Sequence, residues 1–149
     1  MKPLKSYYQL APVFLRLVIG IGFTLHGWAK LKRGTDGLVK LLTILDIPFP
    51  QLNAMLLPYL EFFGGLALIV GIKTRWISIP HILTMVIAMF TIHLPYGFSA
   101  VNTIGLTATG PKLAPPGYEI NLLYIAGLAS LMLTGAGSYS LDHLLSKRK

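Results

Sequence analysis

Cysteine is absent from the chain. A disulfide framework, a thiolate metal site and a dithiol relay within it are therefore excluded. Charge is scarce as well: 12% of residues are charged against 54% hydrophobic, and the mean hydropathy is +0.65. That balance lies outside ordinary soluble domains and inside the membrane class. The charge that remains is lopsided, a formal +8, and the basic residues flank apolar runs. Their position marks them as contacts to anionic headgroups and argues against nucleic acid as a partner. No strands are expected, which removes any Gly-rich phosphate loop set between a strand and a helix.

What the chain does have is four apolar windows, Leu10–Leu31, Leu52–Ile72, Trp76–Leu94 and Ile120–Ala136, each 17 to 22 residues long. A helix needs about that length to cross roughly 30 Å of hydrocarbon. Lipid obliges each span to satisfy its own backbone groups, so the spans are helices. The expected fold class is all-α: an integral membrane four-helix bundle, one domain over residues 1–149, with a short amphipathic surface helix between helices 1 and 2. Lys2 and Lys5 before the first window imitate a signal peptide, but the apolar run is too long and no A-x-A-like site follows. An uncleaved first span is expected.

The connections carry further information. In "TDGLVKLLTILDIPFP", Leu38, Leu41, Leu42 and Leu45 fall on one helical face. Thr35 or Asp36 is a candidate cap, and Pro48 and Pro50 are candidate stops. Such a helix would lie on the membrane surface. The second connection is only "KTR". The third, Pro95–Glu119, is long and rich in Gly, Pro and Thr, a length associated with function or mobility. Seven basic residues (Lys2, Lys5, Lys73, Arg75, Lys147, Arg148, Lys149) share the side of the termini, against five (Lys30, Lys32, Arg33, Lys40, Lys112) on the other. The positive-inside rule then favours cytoplasmic termini in an inner (plasma) membrane.

An ionisable group in hydrocarbon costs at least about 2.5–3.5 kcal/mol, so each one needs a partner or a wet site. The spans hold Arg16, His26, Lys30, Glu61, His81 and His93, with Glu119 and Asn121 opening the fourth. Counting about 1.5 Å of rise per residue, Glu61 lies near the midplane and Arg16 beneath it. His26, Lys30, His93, Glu119 and Asn121 collect toward the far side. His26 and Lys30, four residues apart, share a face. The expectation is a polar funnel with Glu61 at its floor and Arg16 as its bidentate partner. That pair either takes part in chemistry or only fixes helix register. Lys32 reads as a snorkelling lysine, and His81 as a satisfied core histidine. A b-type haem would need His26 and His93 to face each other, which the pattern supports only weakly. A di-metal site lacks the carboxylates it requires.

Four segments also resemble the DoxX family. They are "LRLVIGIGFTLHGWAKL" (Leu15–Leu31), "EFFGGLALIVGIKTR" (Glu61–Arg75), "FTIHLPYGF" (Phe90–Phe98) and "GYEINLLYIAGLASLMLTGAGSYSLD" (Gly117–Asp142). They occur in order and cover about the whole chain, with "SAVNTIGLTATGPKLAPP" as extra length in the third connection. The resemblance implies a four-helix inner-membrane protein. It also implies a place as subunit or anchor in quinone-linked or thiosulfate- or thiol-linked redox complexes. It carries Arg16, His26, Lys30, Glu61, His93 and Glu119 onto family positions without assigning their roles.

Two functions remain open at this point. In one, the chain is the membrane subunit of a quinone-linked oxidoreductase. A quinone headgroup meets His26 or His93, Glu61 moves protons and a protein partner donates electrons. In the other, it is a non-enzymatic binder or assembly scaffold for a small ligand, a lipid or a partner protein. A transporter is a third option and would require a homo-oligomer.

Overall fold

A computed structural model of the chain describes residues 8–147. Lys2, Lys5, Arg148 and Lys149, which entered the charge balance, lie outside the described residues. The elements in order are α1 (Ala11–Arg33), α2 (Asp36–Ile44), α3 (Pro50–Val70), α4 (Thr74–Ala88), β1 (Thr103–Thr107), β2 (Gly110–Leu113), α5 (Glu119–Thr134) and α6 (Leu141–Ser146). Past Ala88, α4 continues through a π-helical turn, Met89–His93, and a 3₁₀ turn, Leu94–Tyr96. Counted to Tyr96 it is 23 residues long, so α1, α3 and the extended α4 each have the length and apolar composition to cross a membrane. Helix α5 has 16 residues, about 24 Å by helical rise, and is the shortest of the four. Large apolar side chains cover the outside, Phe14, Phe63, Trp76 and Leu133 among them. Their proper solvent is lipid.

Helix boundaries follow local chemistry. Pro50 occupies the first turn of α3, where a missing N–H costs nothing. It therefore starts that helix, while α2 has already ended at Ile44. Thr35 takes the N-cap position of α2, but its side chain makes no capping bond. Leu42 is buried where α2 lies against α3, and Leu41 faces away. Gly71 closes α3 in the left-handed conformation, φ 71°, which glycine adopts without strain. Several hydroxyls inside the spans bond the carbonyl one turn back, as in Thr24 to Gly20 (2.7 Å), Ser78 to Thr74 (2.8 Å) and Thr84 to Pro80 (3.0 Å), which satisfies them within their own helix.

The bundle consists of two close pairs, α1 with α3 and α4 with α5. Small residues bring the first pair together: a Cβ on Gly20 or Gly65 would overlap backbone of the opposite helix, and one on Gly27 would meet the backbone of Pro58 and Phe62. The core between the pairs is Ile19, Phe23, Leu68, Leu128 and Leu131. Contacts across this seam, α1 to α5 and α3 to α4, are sparser than those within each pair.

The third connection departs from the strandless expectation. β1 and β2 form an antiparallel hairpin that pairs Thr107 with Gly110. The Thr107 hydroxyl donates to the Gly110 carbonyl at 2.7 Å and closes the turn. Ile104, Leu106 and Leu113 are all exposed on it. With neither face buried, the ribbon carries no alternation of polar and apolar residues from which a strand could be read.

Candidate functional site

Glu61 lies on the buried stripe of α3, in line with Ala54, Pro58, Gly65 and Leu68. The spacing of that stripe turns its carboxylate inward, and the residue is 4% exposed. Lys30 comes from the last turn of α1, the helix antiparallel to α3. A helical side chain leans toward its own N-terminus, so Lys30 reaches back along α1. Its Nζ donates to Glu61 Oε1 at 2.5 Å. The lysine is 31% exposed at its side chain and the glutamate 5%, so the ion pair is buried at one end and open at the other. Glu61 Oε2 has no hydrogen-bond partner among the described residues.

One turn further along α3, Gly64 lies against His81 of α4; a Cβ on Gly64 would overlap the imidazole at Cε1 and Nε2. His81 is fully buried. Its Nδ1 is 2.8 Å from the Ile77 carbonyl, and its ring stands edge-on to Phe23 with centroids 4.3 Å apart. Phe23 in turn meets Tyr124 of α5 edge-on at 5.5 Å. His81 Nε2 is unpartnered among the described residues. His81 is thus a core histidine on its Nδ1 side only. Its signal in the sequence is an ionisable ring deep in an apolar span.

Arg16 does not pair with Glu61. It is 2% exposed at the opposite end of α1, where Nη2 donates to the Tyr139 carbonyl at 2.6 Å and the guanidinium lies against Gly71. Asp142 lies beside this cluster and accepts the Lys73 and Thr74 N–H groups at 2.7 and 3.1 Å. Lys30 takes the glutamate because α1 and α3 run antiparallel: Gly27 faces Pro58 and Phe62, and Gly20 faces Gly65. Arg16, about one helical turn nearer the N-terminus than Gly20, therefore falls near the C-terminal end of α3.

The funnel is not assembled as expected. His26 is exposed on the outside of α1, although Lys30 one turn on is partly buried. His93 donates from Nδ1 to the Pro116 carbonyl at 2.8 Å, and Glu119 Oε2 accepts the Ala100 N–H at 2.9 Å. Both tether the third connection. Asn121 is buried and donates to the Met85 carbonyl at 3.2 Å, joining α5 to α4. His26 and His93 are not brought face to face, so the haem geometry does not form. Two surface clefts, about 290 Å³ beside Ser138 and His143 and about 550 Å³ between α2 and α3, are lined by neither Glu61 nor His81. Among the described residues no three His, Asp or Glu side chains converge as a metal site.

The family model described as DoxX matches residues 11–94. The chain is 28% identical over 145 residues to "Inner membrane protein YqjF" of Escherichia coli (strain K12), covering 97% of this chain and 99% of that protein. It is 25% identical over 142 residues to "Putative oxidoreductase CatD" of Bacillus subtilis (strain 168), covering 95% and 92%. No solved structure matches.

Proposed function

The chain belongs to the DoxX family of membrane proteins, and from that premise we propose that it is the membrane subunit of a quinone-linked redox complex, with the headgroup received at the seam beside Glu61. The observation that carries this reading is a buried carboxylate with one oxygen held by Lys30 and the other unpartnered. Intramembrane ionisable groups are costly and mark functional sites. A register-fixing pair would be expected to satisfy both oxygens. Glu61 lies between α1 and α3, one turn before the Gly64 that packs on His81 of α4, and Lys30 leaves one side of it open. Quinone reduction consumes two electrons and two protons. A protein partner, thiol-linked or thiosulfate-linked as the family resemblance implies, supplies the electrons, and Glu61 with Lys30 handles protons. One relative's name as an oxidoreductase points the same way. We place the protein in the inner (plasma) membrane with cytoplasmic termini, which puts Lys30 and the hairpin on the outer side.

The test is Glu61→Gln, assayed for quinone-linked electron transfer in native membranes. Gln keeps the shape and a hydrogen-bonding oxygen but cannot take a proton. Activity should fall about 100-fold, the low end for loss of a general acid–base, with normal insertion. Unchanged activity removes the proton role. The scaffold reading draws on the hairpin, whose Ile104, Leu106 and Leu113 are exposed. It predicts a stoichiometric protein partner and no bound quinone.

A further inference from the structure

We infer that this site is built for a ligand that donates hydrogen bonds, and that His81 Nε2 is the atom that receives one of them. Resting on the quinone-linked reading above, the preferred occupant is the reduced hydroquinone.

Nδ1 sets the tautomer of His81. The Ile77 carbonyl, 2.8 Å away, can only accept, so Nδ1 carries the hydrogen. In the neutral ring that tautomer leaves a lone pair on Nε2. His81 is fully buried, and Nε2 has no donor among the described residues. Glu61, paired with an ammonium, is likewise acceptor-only, and its Oε2 is also unpartnered. Both atoms belong to one stretch of the seam. His81 lies on the bare Cα of Gly64, and Glu61 is three residues before that glycine on α3, which places the two on neighbouring turns of one helix face. The only donor of the group, Lys30, is already engaged with Oε1 and lies at the open margin. Among these described residues the deep part of the site therefore presents two unpartnered lone pairs and no free hydrogen.

A quinone has carbonyl oxygens, which are acceptors, and would set lone pair against lone pair there. A hydroquinone carries hydroxyl hydrogens and can donate to such an atom. Binding of either form moves no electron. A tenfold preference for the reduced form corresponds to a rise of about 30 mV in the potential of the bound two-electron couple.

The experiment titrates the full chain in lipid nanodiscs with a short-chain benzoquinol, and separately with its quinone, and counts bound ligand by native mass spectrometry. The quinol should bind at least tenfold tighter. His81→Phe keeps a ring edge-on to Phe23 and removes the acceptor; it should erase the preference. Should that variant fail to fold, imidazole ¹⁵N spectra of the wild-type protein decide. They should show Nδ1 protonated and Nε2 bare, with the Nε2 resonance moving when quinol is added. Equal or tighter binding of the quinone, or a protonated Nε2 in the ligand-free neutral ring, overturns the inference and leaves the quinone-linked reading standing. Binding of neither form removes both.

Discussion

Arg16 and Glu61 are both charged and both buried, yet the bundle treats them in opposite ways. Arg16 is spent on the chain's own ends. It donates to the Tyr139 carbonyl beside an Asp142 that holds the start of α4, so one polar knot ties α1, the α3–α4 turn and the C-terminal segment. Its Nε and Nη1 lack partners among the described residues, but the guanidinium lies against Gly71 with the Asp142 carboxylate nearby. Glu61 is held on one side by a partly exposed lysine, and its second oxygen and His81 Nε2, both unpartnered among the described residues, offer lone pairs. Burial of a charge alone therefore does not mark a ligand site; what distinguishes the second region is an excess of acceptors where α3 meets α1 and α4.

The largest effect on stability should come from Arg16→Met, which keeps much of the apolar stem and deletes the guanidinium. The Tyr139 carbonyl loses a charged donor, a contact worth about 1.5–3 kcal/mol. The thermal midpoint of the detergent-solubilised protein should drop, while folded molecules keep their quinol binding. If the midpoint stays and ligand binding is lost instead, the contrast between the two regions collapses, and Arg16 belongs to the site.

Gly64→Ala attacks the other region. The new methyl would overlap the His81 ring, so the ring or the helix must shift, and overpacking of this kind costs about 1–3 kcal/mol. Here the ligand preference should suffer more than the melting temperature, because the displaced atom is Nε2. Gly37→Ala, with open space around it, serves as the matched control. Equal behaviour of the two variants in the quinol titration would show that the position of His81 is irrelevant to binding.

The four apolar helices and the amphipathic α2 could be read from hydropathy and period, because in lipid those patterns leave few alternatives. The inward face of Glu61 was legible too. Its partner was not. Depth counted along Cα positions treats a side chain as a point, whereas Lys30 reaches back along its helix and Arg16 falls near the far end of α3. His26 and Lys30 share a face by spacing, but only Lys30 lies close enough to α3 to be partly covered. The hairpin escaped detection because every position of β1 is exposed. The knot at the termini escaped for another reason: it joins Asp142 to Lys73 and Thr74 across nearly half the chain, and nothing local records that pairing.

The smallest effect should come from cutting that last link. Lys73 stands at the N-cap of α4 in the left-handed conformation, φ 47°, and its side chain makes no capping bond. The first N–H groups of a helix have no partner within it, and here the Asp142 carboxylate, from 69 and 68 residues away, accepts those of Lys73 and Thr74. Its negative charge also suits the positive end of the helix. Asp142→Ala removes a cap, which costs about 1 kcal/mol; the effect stays small because Lys73 is exposed and water can replace that bond. Thr74 is fully buried, so its N–H is the part that water does not recover. Amide exchange should therefore quicken at Thr74 and in the first turn of α4, and not around Glu61. Faster exchange at Glu61 as well would mean that the two regions are one cooperative unit, and Arg16→Met should then weaken quinol binding too.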